Sequence, residues 1–392
     1  MPSPAPTVEE RIIHSQPSWV IASDQVELAV TKLGGHMAPV TFFRAGERPV
    51  QPYYISPWQD ENVSVPVPVL APLRGDFFCL PFGGNTKSFR GETHPPHGEA
   101  CGGSWSLEGC VTRGKVVTLE LGFETRARPG HIRRELSLVA GHNVVYSRTL
   151  VEGFAGPAPF SHHAILSVPE RERALLCSCS PFWRGLTYPM DFGSPAAGEY
   201  QSLAPGATFR DLAKVQSIFR GRPPEDCTAF PTRPGFCDLV QTFERPAKRD
   251  ASRPSWVTVV NTEEGWLWFA FKDPRQMPGR IFWMENRGRY NAPWNGRNAC
   301  LGIEDGCMYF DLGLVESCGT NPVSRLGVKT CAEFGGETPV DIRYVQGVAR
   351  VPRNFGRVRD LVFGKRSVVF HSANGRRVKV PVAHEFLSFE EL

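Results

Sequence analysis

VTRGKVVTLELGFETRARPGHIRRELSLVAGHNVVYSRTLVE, residues 111–152, is the stretch whose reading decides the fold. Val117, Leu119, Leu121 and Phe123 are apolar at period two, with Thr118, Glu120 and Glu124 between them. That alternation is the mark of a half-buried strand, because successive side chains point to opposite faces. Arg126-Ala127-Arg128-Pro129-Gly130 turns the chain, Ile132 to Val139 alternates again, and Gly141-His142-Asn143 makes the next turn before Val144 to Val151. The expected unit is a three-stranded antiparallel meander with one face wet.

The same grammar extends in both directions. Val26–Thr31 alternates, breaks at Gly34-Gly35 and resumes over His36–Phe43, which reads as a hairpin. From Pro52 to Pro81, prolines recur too often for a helix interior, so loop and edge strand are expected. Residues 160–168, 173–177 and 197–203 read as strands, as do WVTVVNT, WLWFAF and RIFWMEN within 255–284. Trp266 and Trp268 flank Leu267 as core residues. Asn374-Gly375 between alternating runs is a hairpin cue. One weak helix is expected within Pro205–Arg222. The βαβ alternation of a nucleotide-binding sheet is absent, and so are repeats and heptads. The fold class is therefore all-β and antiparallel with little helix, as two large packed sheets. The expected organisation is a mobile lead over 1–18, one β-sandwich domain over 19–387 and a tail over 388–392.

Composition narrows the function. The 392 residues suffice for a sizeable core, and 38 Gly with 35 Pro, scattered between apolar runs, fit many turns joining short strands. A net charge of +4, with the arginines of RRELSL and GRRVKV inside strands, argues against a nucleic-acid partner. No apolar run has membrane-spanning length, and the N-terminus shows no secretory pattern. The 11 cysteines form no framework, and most lie in apolar segments. They read as reduced thiols of a cytoplasmic protein. Cys177 and Cys179 occupy one face of a strand.

Three places concentrate acid/base groups. The first is His94-Pro-Pro-His97-Gly-Glu99-Ala-Cys101, on irregular backbone ending at Trp105. The second is His162-His163, at the entrance to an apolar strand. The third is Cys300-Leu-Gly-Ile-Glu304-Asp305, following Trp294. Strand alternation allows only one of His162 and His163, and one of Glu304 and Asp305, to face any given side. Asp305 and Glu285 read as ion-pair partners, while Arg297 is near enough in sequence to pair with Glu304. Gly83-Gly84-Asn85-Thr86-Lys87-Ser88 lacks the glycine before lysine and the strand–helix context of a phosphate loop.

In this order, from about Val26 to the last hairpin, these segments resemble the aldose 1-epimerase (galactose mutarotase) superfamily. VELAVTKLGGHMAPVTFF resembles its opening hairpin, LRGDFFCLPFGGN with HPPHGEACGGSW its arginine and His-Gly loop, and HIRRELSLVAGHNVVYSRTLVEG its central meander. His162-His163 before AILSV and the late CLGIED complete the match. The resemblance implies a galactose mutarotase-type β-supersandwich that interconverts anomers of an aldose or modified sugar, with no cofactor and no metal. It makes Glu304 the general base toward the anomeric hydroxyl and His163 the general acid toward the ring oxygen, with His162 as the alternative histidine. It also implies that His97 and Arg74 bind the sugar and that Trp105, Trp283 and Trp294 offer it flat apolar surface. Asp238 stands in for the family's substrate-binding aspartate.

The family's His-x-Tyr-Phe-Asn-Leu is here HAILSV, and its His-Gly-Phe-Ala-Arg is His97-Gly98-Glu99-Ala100-Cys101, which makes Glu99 the marker of an unusual substrate. Two further readings stay open. One is a non-catalytic carbohydrate-binding protein on the same fold. The other is a metal-dependent β-barrel enzyme using His94, His97 and Glu99. Which sugar is bound, whether it is phosphorylated, and the oligomeric state are left open.

Overall fold

The computed structural model describes residues 8–245 and 253–392. The meander is present and one strand longer than expected. Ser106–Arg113, Val116–Thr125, Gly130–Val139 and Val144–Gly153 pair antiparallel in succession. Leu119, Leu121 and Phe123 are buried, and Glu120 and Glu124 are not. In the partner strand Ile132, Leu136 and Leu138 share the inward face with Arg134, which is fully buried. The wet face expected of the meander therefore does not hold every arginine of RRELSL: Arg134 pairs inside with Asp76 at 2.7 Å.

The meander is half of a nine-stranded antiparallel sheet. Its other half runs Val340–Arg350, Trp266–Lys272, Ser255–Asn261, Leu175–Cys179 and Ala229–Phe230. Facing it is a seven-stranded antiparallel sheet in the order Thr208–Phe209, Arg184–Thr187, Phe236–Phe243, Gly279–Asn286, Ala299–Cys307, Phe160–Ser167 and Phe78–Cys79. The central strands of both sheets are buried on both faces, which is why Trp266–Lys272 and Gly279–Asn286 read as near-continuous apolar runs. Three apolar layers result. Trp268, Leu121, Ile132, Phe282, Leu166 and Ile303 fill the space between the sheets. Ile165, Leu239, Ile281 and Trp283 lie on the outer face of the seven-stranded sheet. On the outer face of the nine-stranded sheet, Phe269 and Phe271 meet Phe370 of the C-terminal three-stranded sheet, whose hairpin turns at Asn374-Gly375 as expected. Each such side chain fully buried contributes roughly 1.5–3 kcal/mol.

Three expectations are corrected. Residues 9–18, assigned to a mobile lead, belong to a hairpin of Glu9–Ile13 and Gln16–Ala22, which continues through Val26–Thr31 to Met37–Phe42 in a four-stranded sheet. Arg74 holds that hairpin, donating to the carbonyls of Ile13 and His14 at 3.0 Å each. Residues 1–7 of the proposed lead lie outside the described residues. The helix within Pro205–Arg222 is absent: the segment holds turns, isolated bridges and the short Thr208–Phe209 strand. The strand expected over 197–203 is likewise irregular, tied at Ser202 and Leu203 to Asp238. Among the described residues the one α-helix is Leu314–Cys318, and no helix is long and apolar enough to cross a membrane.

Candidate active site

The outer face of the seven-stranded sheet forms the floor of a cavity of about 320 Å³. Four adjacent strands supply it in two rows. Leu239, Trp283, Gly302 and Ile165 are cross-strand partners in one row, and Ile281, Glu304 and His163 in the next. Gly302 is required there: a Cβ would stand 3.0 Å from Cβ and Cε3 of Trp283. The indole therefore lies beside Glu304. Loops build the walls, with Val67, Leu70 and Leu73 on one side, Gly84, Pro96 and His97 on another, and Phe192, Arg289, Trp294 and Asp311 completing the rim. A mostly apolar cleft with a few convergent polar groups is the usual form of a small-molecule site.

His163 and Glu304 sit directly opposite each other, with Nε2 3.5 Å from Oε1. The histidine is held on three sides. Its ring stacks on Phe77 at 4.7 Å, and Phe77 stacks in turn on His36 at 4.0 Å. Its backbone N–H donates to the Phe77 carbonyl at 3.0 Å. His36 is itself pinned by the Arg74 N–H and the Cys101 carbonyl. His97 stands edge-on to His163 at 5.3 Å. Its left-handed backbone, φ 62°, is fixed by an N–H bond to the Gly83 carbonyl at 2.7 Å and by Gly98, where a Cβ would fall 2.0 Å from the Leu80 oxygen. Such strain in a non-glycine residue persists only where surroundings over-determine it, often at functional sites.

Burial governs the electrostatics. It raises Glu304 well above the usual carboxylate range, and the nearby charge of Asp311 adds to the shift. It lowers His163 well below the usual imidazole value, with His97 and His36 opposing a further positive charge. It lowers His97 to about 4, with Arg289 adding to the effect. The favoured state is thus a neutral carboxylic acid facing a neutral imidazole. Five residues of the cavity also carry buried polar atoms with no hydrogen-bond partner in the protein: His97 Nδ1, His163 Nδ1, Glu304 Oε2, Arg289 Nε (3.7 Å from the Glu285 carboxylate) and Asp311 Oδ1. Such atoms are rare and costly in a folded protein, and their convergence on one cavity marks a polar ligand's place.

The structure brings His97, His163, Glu304, Trp283 and Trp294 together and separates the other expected residues from them. His162 points the opposite way, between the sheets, where Nδ1 lies 3.1 Å from Asp76 and the ring stacks on Tyr344. Arg74 does not reach the cavity, because its guanidinium is spent on Ile13, His14 and Gln59. Glu99 accepts from the backbone N–H groups of Arg126 and Ala127, capping the turn of the meander. Trp105 packs against Phe123 and donates to the Ala100 carbonyl. Asp238 is consumed by Ser202 and Leu203. His94 pairs with Glu92 at 2.9 Å, so His94, His97 and Glu99 face three directions and do not converge on a metal. Among the described residues no cluster of three His, Cys, Asp or Glu has metal-binding geometry. Arg297 pairs with Glu61 and leaves Glu304 without a guanidinium partner. Arg289 and Asp311 escaped the sequence reading. No local motif marks either one, and only the rim geometry brings them to the cavity.

Two packed antiparallel sheets, with a histidine and a glutamate opposed on the outer face of one of them, define the class of fold. No protein-family model matches the chain, and no curated protein matches it by sequence. Solved structures do match over most of its length. A galactose mutarotase-like protein from Clostridium acetobutylicum aligns with a TM-score of 0.60 at 10% identity, covering 88% of this chain and 99% of the other. A galactose mutarotase related enzyme from Lactobacillus acidophilus gives 0.52 at 10% identity, covering 86% and 98%. The protein has the galactose mutarotase-like fold, with a widely divergent sequence.

Proposed function

We propose that the protein is a sugar-active isomerase of the aldose 1-epimerase type. The observation that carries this reading is the facing of His163 and Glu304 at 3.5 Å on the floor of an open cleft with unpartnered polar atoms. Anomer interconversion needs one group to take the proton from the anomeric hydroxyl and another to give one to the ring oxygen. The C1–O5 bond breaks, the aldehyde rotates about C1–C2, and reclosure on the other face returns both protons. The pair His163–Glu304 holds one mobile proton. With the proton on Glu304, the imidazole is the base and the carboxyl the acid. Moved to His163, it gives the assignment that the family resemblance implies. Both arrangements have the same total protonation, so burial selects between tautomers without changing the chemistry available. Each proton transfer contributes about 10²–10⁴-fold in rate, and His97 stands beside the pair as a hydrogen-bonding group. No cofactor is called for.

Saturation-transfer NMR across a panel of free sugars tests the reading, the expected result being accelerated anomer exchange that Glu304→Gln and His163→Ala abolish. No acceleration with any sugar would overturn it. The sequence departures at Glu99, Cys101 and Ala164–Leu166 favour one second reading, sugar binding without turnover, and saturable binding with no exchange selects it.

A further inference from the structure

Away from the cavity, two of the 11 cysteines come together, and both are half-buried. Cys318 ends the Leu314–Cys318 helix, and Cys331 precedes the Ala332–Phe334 strand. The residues just before them are fastened to each other. Thr330 Oγ1 donates to the Ser317 carbonyl at 2.6 Å and accepts from Asn321 Nδ2 at 2.9 Å, and the same Nδ2 donates to the Glu316 carbonyl at 3.0 Å. The helix start is tied as well, with Leu314 N–H donating to Asn85 Oδ1 at 3.1 Å. The two cysteines are thus adjacent on fixed backbone, and their thiols interact directly with Cys318 as donor. That interaction lowers Cys331 to about 7, and Lys329 adds to the shift. Cys79 and Cys101 also interact, but both are fully buried, and burial pushes Cys79 up. Burial likewise raises the half-buried Cys110 and Cys179. Of the two adjacent pairs, partial exposure and a lowered thiol coincide at Cys318–Cys331.

We propose that Cys318 and Cys331 are a modification site, a dithiol that a small disulfide of the glutathione type oxidises to an intramolecular disulfide. The site is independent of the sugar-active reading above. The Cys331 thiolate attacks one sulfur of glutathione disulfide, whose S–S bond breaks, and the first glutathione leaves as a thiolate. Cys318 then gives its proton to solvent and attacks the Cys331 sulfur of the mixed disulfide, and the second glutathione leaves. The protein dithiol loses two electrons and two protons, and glutathione disulfide becomes two glutathione thiols. Exchange of this kind is fastest from a thiol that titrates near the ambient pH, and a low-pKa thiol beside a resolving cysteine is the usual form of a redox-sensitive site. The clasp of Ser317, Asn321 and Thr330 removes the need for a backbone rearrangement before the second step.

The experiment incubates the reduced full-length protein with glutathione disulfide, alkylates the remaining thiols and reads intact mass and non-reduced tryptic peptides. Arg325 and Lys329 lie between the two cysteines, so trypsin leaves them on separate peptides unless a disulfide joins them. The expected product is the protein less two hydrogens, with the Cys318 and Cys331 peptides joined and dithiothreitol reversing the change. Its rate of formation should reach half its maximum near pH 7, below the ordinary thiol value of about 8.5. Cys318→Ser should stop at the glutathione adduct of Cys331, and Cys331→Ser should react about tenfold more slowly than wild type. Near-UV circular dichroism follows the folded state throughout. Wild-type protein that stays reduced at this pair, adducts that form first on other cysteines, or a disulfide that appears only in urea overturns the proposal.

Discussion

His162 and His163 are neighbours in one strand, and Glu304 and Asp305 are neighbours in the next, yet the two faces treat them oppositely. Between the sheets the charged side chains sit in ion pairs, although Asp76 Oδ1, Arg134 Nε and His162 Nε2 lack a hydrogen-bond partner. Asp305 is ion-paired with Lys272 at 2.7 Å and Arg280 at 2.9 Å and accepts from the Tyr344 hydroxyl at 2.9 Å, while Asp76 binds Arg134 and His162. Arg280 and Lys272 hold Asp305 below the usual carboxylate range, whereas burial, with the nearby Asp311 charge adding to it, pushes Glu304 above it. One residue step separates a carboxylate locked in ion pairs from a carboxyl left without a charged partner of opposite sign on a cavity floor. Paired buried charges resist change, whereas unpaired buried groups are stability forgone at a place where a ligand supplies the missing partners.

The largest expected effects break this comparison at its functional side. Glu304→Gln or His163→Ala should lower anomer exchange by about 10²–10⁴-fold, with urea midpoints unchanged or slightly raised. A parallel loss of stability would show that the outer pair is structural. On the inner side the sign reverses. Asp305→Asn removes one partner of a buried cluster and should cost about 3–5 kcal/mol in chemical denaturation, with exchange per folded molecule little altered. Arg74→Ala, which frees the 9–22 hairpin, should cost about 2–4 kcal/mol for the same reason. It should leave sugar affinity intact, since Arg74 is remote from the cavity; a specific loss of affinity would restore it as a sugar ligand.

Dependence on pH sharpens the contrast. The folded-state pKa of Glu304 is raised above the ordinary 4.5, so the stability it contributes is full below that value and is lost as pH rises through the folded pKa. Asp305 is lowered from 3.8, so its contribution is present above that value and is lost as pH falls through the folded pKa. The advantage of Glu304→Gln over wild type in urea midpoint should therefore grow with rising pH, and the deficit of Asp305→Asn should shrink in acid. Flat difference curves would mean that neither shift is present. The smallest effect belongs to Glu99→Gln, within about 0.5 kcal/mol as a turn-capping change and without influence on which sugar binds.

The sequence made the strands legible because alternation in the meander, the glycine hairpins and Asn374-Gly375 are local signals. It also placed His97, His163 and Glu304 in the family's order. It could not decide between His162 and His163, because both faces of that strand are buried and alternation alone does not say which holds a cavity. Arg74, Trp105 and Asp238 carry residue types suited to sugars, but their partners are set by distant backbone: Ile13 and His14, Ala100, and Ser202 with Leu203. The turns of 205–222 were mistaken for helix because their spacing of apolar residues serves scattered contacts, as at Leu212 and Val215, instead of one helical face.

The pairing of Phe160–Ser167 with Ala299–Cys307, and of Val144–Gly153 with Val340–Arg350, has a consequence for how the molecule forms. Partners almost 200 residues apart must meet before the nine-stranded sheet is continuous, and such distant closures make folding slow. During synthesis the meander waits with the Val144–Gly153 edge unpaired until Val340–Arg350 has been made, a period in which an open edge invites other chains. The cavity floor shares this timing: His163 is made early and Glu304 late, so a ribosome-bound fragment ending before residue 299 holds His163 with nothing opposite it.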